Sequence, residues 1–119
     1  MAKLSRIAPE LPVTDLTEAI QYYEQKLGFH CAMRMPNGDY AIVERDEVAI
    51  HLFQDETGNC TPVGIHIFTA ELDALHAELQ QRGVGLSQAI EHKPWGNRDF
   101  RLKDGFGNEI KFTEPVERG

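Results

Sequence analysis

Two amphipathic stretches, each stopped by a glycine and each followed by three short strand-like runs, divide this chain into halves of the same order. In the first half Leu16, Ala19, Ile20, Tyr23 and Leu27 recur on one helical face, Thr14 or Asp15 supplies the N-cap, and Gly28 ends the run. In the second, Leu72, Leu75 and Leu79 form the apolar seam of a helix over 71–82, and Arg82-Gly83-Val84 stands where Leu27-Gly28-Phe29 stands in the first half. Strands are expected over 29–35, 40–44 and 48–53, then over 63–69, 88–91, 99–103 and 109–113. Residues 4–13 read as an extended segment with an edge position, because Pro9 and Pro12 bar a helix and cannot donate to a central ladder. The repeat is one of element order. The expected fold class is α+β: two tandem βαβββ modules, about 1–60 and 61–119, in a single domain over 1–119. One module alone has too little core, so the two must pack together. With a helix on one face of each twisted sheet, the other faces form a cup suited to a small ligand.

At 119 residues and 41% hydrophobic content the chain suits one domain that folds without covalent staples. Cys31 and Cys60 lack Cys-x-x-Cys spacing, which argues for reduced thiols over a zinc or redox pair, with a disulfide between them as the alternative. No apolar run reads as a signal peptide or membrane span, so the expected location is cytoplasmic, with no membrane partner. A net charge of −7, from 19 acidic and 12 basic side chains, disfavours nucleic acid and mildly favours a cationic ligand.

Strand alternation selects the candidate site residues. In Val48-Ala49-Ile50-His51-Leu52-Phe53, Ile50 and Leu52 point one way and Ala49, His51 and Phe53 the other; in Gly64-Ile65-His66-Ile67-Phe68, Gly64, His66 and Phe68 oppose the isoleucines. If the aliphatic side chains cover the helices, His51, Phe53, His66 and Phe68 face the cup. Two histidines need a third ligand to make a catalytic metal site; Glu44 and Glu109 are the candidates, and neither is placed convincingly. His30, His76 and His92 read as surface or strand-end residues. No Gly-x-Ser-x-Gly, Gly-x-Gly-x-x-Gly or P-loop pattern is present, and no cofactor is expected. Trp95, between Pro94 and Gly96, either plugs the core from a loop or stands at the mouth of the cup.

With the repeat in view, the sequence resembles the vicinal oxygen chelate superfamily and, within it, the bleomycin-resistance branch. The marks are Met1-Ala2-Lys3-Leu4 leading into Leu11-Pro12-Val13-Thr14-Asp15-Leu16, Tyr22-Tyr23-Glu24, Leu27-Gly28-Phe29 and Leu72-Asp73-Ala74-Leu75. The most specific are Pro94-Trp95-Gly96, Arg98-Asp99-Phe100 and the turn from Asp104 to Asn108. Gly105-Phe106 stands where Pro-Asp is usual in that turn. Metal-dependent members set one ligand in each of four strands, and the resemblance puts those positions near Ala8, His51, Gly64 and Lys111, of which His51 alone can ligate a cation. The resemblance therefore implies a metal-independent homodimer that sequesters a small molecule, with Trp95 at the rim of the groove and an N-terminal strand able to cross to the partner. The ligand of the named branch is a flat, cationic glycopeptide antibiotic. The alternative is a metal-dependent lyase, isomerase or dioxygenase acting on a small oxygen-rich substrate.

Overall fold

The computed structural model describes residues 2–115; Met1, the first residue of the quoted N-terminal mark, and residues 116–119 lie outside the described part. The chain runs β1 (Glu10–Val13), α1 (Leu16–Gln25), β2 (His30–Arg34), β3 (Tyr40–Arg45) and β4 (Val48–Gln54). It then repeats as β5 (Gly64–Phe68), α2 (Leu72–Gln81), β6 (Gln88–His92), β7 (Arg98–Lys103) and β8 (Glu109–Glu114). Each module makes a four-stranded sheet, ordered β1-β4-β3-β2 and β5-β8-β7-β6, whose first strand pairs in parallel with its last. The fold is the expected α+β arrangement of two βαβββ modules.

Local chemistry accounts for the boundaries. The Asp15 side chain accepts from Glu18 N–H at the start of α1. Gly28, at φ 75°, turns the chain back into β2, where a Cβ would lie 2.9 Å from Arg45 Nη1. Asp46, at φ 54°, makes the tight β3–β4 turn, a conformation Asp tolerates. The N-terminal segment departs from expectation. Residues 4–13 were expected to be extended throughout, yet the ladder starts only at Glu10, just after Pro9 C=O accepts from His51 N–H. β1 is an edge strand, so the N–H that Pro12 lacks is not missed on its open side. Leu4 and Ile7 are left 97% and 94% exposed.

Leu16, Ala19, Ile20 and Tyr23 of α1 and Leu72 and Leu79 of α2 are buried against Ile50, Leu52, Ile67, Phe100, Ile110 and Phe112 in one continuous core. Each large aliphatic or aromatic side chain buried there contributes roughly 1.5–3 kcal/mol. The modules are joined by polar contacts flanking that core. Tyr23 Oη donates to Asp104 Oδ2 at 2.9 Å, and Asn108 Nδ2 donates to Pro12 C=O at 2.9 Å. Arg45 of β3 forks onto the Glu78 carboxylate of α2 at 2.9 and 2.7 Å, and Arg82 Nη1 reaches Gln25 C=O. His76, expected at the surface, packs edge-on against Phe100 with ring centres 5.2 Å apart, because its helical position faces β7. Cys31 and Cys60 are both free thiols, which removes the disulfide alternative.

Candidate functional site

The strand faces turned away from the helices hold the candidate residues. In β4, Ile50 and Leu52 are buried while His51 and Phe53 are partly exposed; in β5, Ile67 is buried while His66 and Phe68 are exposed. His66 stacks on Phe68 with ring centres 6.1 Å apart. Both line a cleft of 540 Å³, together with Ile7, Ala8 and Pro9 of the N-terminal segment and Ala49 of β4. A neighbouring cleft of 370 Å³ shares Val48, Ile67 and Phe68 with it and extends to α2. His51 and Phe53 lie further along β4, outside the larger cleft. Trp95 also lies outside it, at the tip of a short hairpin closed by Lys93 N–H to Asn97 C=O and Gly96 N–H to Lys93 C=O. Its side chain is 57% exposed, so Trp95 is not a core plug.

On the first sheet, sequence reasoning missed the partners of His51. Tyr40 Oη donates to Glu10 Oε2 at 2.7 Å and lies 2.7 Å from His51 Nδ1. An ionised Glu10 can only accept, so the phenol proton faces it and the imidazole Nδ1–H donates to the phenol oxygen. In the neutral ring the lone pair is then on Nε2. The hydrogen bond to Glu10, with smaller contributions from burial and the carboxylate charge, pushes the Tyr40 hydroxyl up to about 12. The signal was in the turn: the tight Asp46-Glu47 connection sets Arg45 opposite Val48 and hence Ile42 opposite His51, one diagonal step from Tyr40.

On the second sheet, His66 is opposite Lys111, which is opposite Arg101. His66 Nδ1 lies 3.0 Å from Thr113 Oγ1. Burial, then the charges of Lys111 and Arg101, lower the imidazole's proton affinity, while Asp99 and Glu109 oppose the shift less strongly. Asp99 is 2% exposed and accepts from Gln88 Nε2 and Arg101 Nη2. Arg98, from the same quoted stretch, instead spans Asp73 of α2 and Glu114 of β8, and Phe100 is fully buried. Much of the stretch that carries the resemblance is thus scaffold.

The four positions that the resemblance would assign to a metal do not form a donor set. Ala8 and Gly64 offer no ligating atom. Lys111 brings a positive charge to the spot: a Cβ placed on Gly64 would lie 3.5 Å from its Nζ. Glu44 and Glu109 do not repair the set, since Glu44 faces His30 at 3.9 Å and Glu109 lies between Arg101 and Lys111. Among the described residues no three His, Cys, Asp or Glu side chains converge on a common point. None of the described helices is long and apolar enough to cross a membrane.

Paired βαβββ modules with open, helix-free faces define a class of fold shared by binding proteins and enzymes. Residues 3–112 match the family model of the Glyoxalase/Bleomycin resistance protein/Dioxygenase superfamily, and the chain belongs to that family. It is 28% identical to the bleomycin resistance protein of Geobacillus stearothermophilus, with 92% of this chain and 96% of that one covered. Its fold matches a bleomycin-binding protein complexed with bleomycin at a TM-score of 0.81 and 18% identity, covering 93% and 98% of the two chains. It matches lactoylglutathione lyase from Agrobacterium tumefaciens at 0.75 and 17% identity, covering 95% and 96%.

Proposed function

We propose that this protein is a metal-independent small-molecule binding protein that sequesters an antibiotic of the bleomycin type. The observation that carries this reading is the donor set: Ala8, Gly64 and Lys111 stand where a metal-dependent relative would need ligands, while the aromatic side chains of Phe68 and Trp95 remain exposed for stacking. The likeness to bleomycin resistance proteins supports it. His51, Phe53, His66, Phe68 and Trp95 are the proposed ligand-facing residues. The exposed arm bearing Leu4 and Ile7 supports a homodimer in which this segment crosses to a second copy.

Isothermal titration with bleomycin tests the binding claim. Saturable heat is expected, with Trp95→Ala weakening affinity by about 1 kcal/mol, roughly fivefold. Absence of binding at submillimolar protein would remove the antibiotic claim. Sedimentation equilibrium tests the assembly: the intact chain is expected to be dimeric and a chain lacking residues 2–8 largely monomeric, while a monomeric intact chain would sink the exchanged arm. The likeness to lactoylglutathione lyase supports a second reading as a metal-dependent lyase, isomerase or dioxygenase. Stoichiometric zinc, nickel, manganese or iron in purified protein would replace the first reading with that one.

A further inference from the structure

The register of the second sheet sets two permanent cations side by side on its open face. Lys111 of β8 is directly opposite Arg101 of β7, with His66 of β5 on the other side of Lys111. Neighbouring strands are about 4.8 Å apart, and like charges placed directly opposite each other in a sheet are destabilising. The fold cancels this repulsion only loosely. Glu109 Oε1 is 3.6 Å from Lys111 Nζ and 3.9 Å from Arg101 Nη1, both beyond hydrogen-bonding distance. Asp99 accepts from Arg101 Nη2 at 3.3 Å but also serves Gln88 and lies near Lys93. Arg101 Nε is buried without a hydrogen-bond partner among the described residues. At the His66 ring the two cations outweigh the two carboxylates, so this patch is locally positive on a chain of net charge −7. Gly64, with no side chain, leaves the space next to Lys111 Nζ unfilled.

We propose that this face is a metal-free oxyanion site, in which Lys111 and Arg101 together take a carboxylate or phosphate group of the ligand and His66 borders it. An anion there would turn the unfavourable lysine–arginine placement into a favourable one, giving Lys111 Nζ the charge-assisted hydrogen bond that Glu109, at 3.6 Å, does not supply and adding to the single one that Arg101 makes with Asp99. The ammonium of Lys111 supplies, from the protein, the positive charge that a metal would otherwise bring. This rests on the small-molecule binding reading above and narrows it: the ligand carries an anionic oxygen group as well as the flat surface suited to the aromatic residues, so a purely cationic antibiotic would leave Lys111 and Arg101 unengaged.

The test is a pair of titrations followed by nuclear magnetic resonance at constant ionic strength, one with sodium phosphate and one with sodium malonate, reading the His66 ring and Lys111 Nζ signals. Saturable shifts with at least one anion are expected, with the His66 pKa rising on binding. Lys111→Met should weaken binding by about tenfold or more, and Lys111→Arg should retain it. Saturation by phosphate alone identifies a phosphoryl ligand, and by malonate alone a carboxylate. Non-saturating shifts with both anions, or unchanged affinity in folded Lys111→Met, would overturn the proposal. Tight bleomycin binding without anion saturation would remove the oxyanion site and leave the binding function. Anion saturation without bleomycin binding would do the reverse.

Discussion

Asp104 is 1% exposed and accepts four hydrogen bonds: from Tyr23 Oη, from Phe106 and Asn108 N–H, and from Asn108 Nδ2. It shapes its own turn and also ties α1 to β7. Burial, then the Asp104 charge and hydrogen bond, raise the Tyr23 hydroxyl well above its ordinary value, so the phenol stays a donor throughout the working pH range. Removing the carboxylate strands several buried donors at once, whereas removing the phenol strands one acceptor that keeps three others. Asp104→Ala should therefore cost about 3 kcal/mol or more and Tyr23→Phe about 1 kcal/mol, measured from urea unfolding midpoints. Equal losses would show that Tyr23 supplies most of the anchorage. The turn itself was readable in the sequence from Asp104, Gly105 and Gly107. Its role in holding the modules was not, because the partner lies 81 residues away on a helix whose inward face is all that periodicity reveals.

Elements whose ends carry strong local chemistry fall close to where the sequence sets them, as at Asp15 and Gly28. Elements that depend on a distant partner do not: residues 4–9 read as one extended segment with Glu10–Val13 on the prolines, yet pairing begins only at Glu10 opposite His51 although β4 runs back to Val48. The same holds for the site, where His51 and His66 were placed on the correct faces but Tyr40, Glu10 and Arg101 needed cross-strand register. Between elements, the Arg45–Glu78 fork links β3 to α2. The hydrogen bond from Arg45, helped by Arg82 and opposed by burial, holds the Glu78 carboxyl below its ordinary value of 4.5. A carboxyl with a depressed folded pKa contributes stability above its unfolded pKa and loses it as pH falls through the folded value. Glu78→Gln should thus be less stable than wild type at pH 7, and the gap should close as pH falls below about 4.5. Urea midpoints measured from pH 7 to 3 would show this; a gap constant across that range would mean that the pair contributes through packing and not through charge.

The radius of gyration is 15.1 Å, against about 13.5 Å for a compact body of this length, and the chain forms a slab only 25 Å thick. A flat body leaves both helix-free faces accessible, as the proposed second copy and ligand would require. Within that slab the Asn108–Pro12 hydrogen bond spans 96 positions of the chain. During synthesis β1 and α1 leave the ribosome long before Asn108 is added, so the Pro12 carbonyl must wait, hydrated, for a partner made near the end of translation. Contacts of such separation carry their loop-closure cost before they return any stability. Asn108→Ala should accelerate unfolding and leave the refolding rate nearly unchanged in stopped-flow measurements, whereas an equal slowing of refolding would place this contact in the nucleus. The nascent chain can therefore pair β1 with β4 early, but the Pro12 carbonyl on its open side is satisfied only when the closing hairpin arrives.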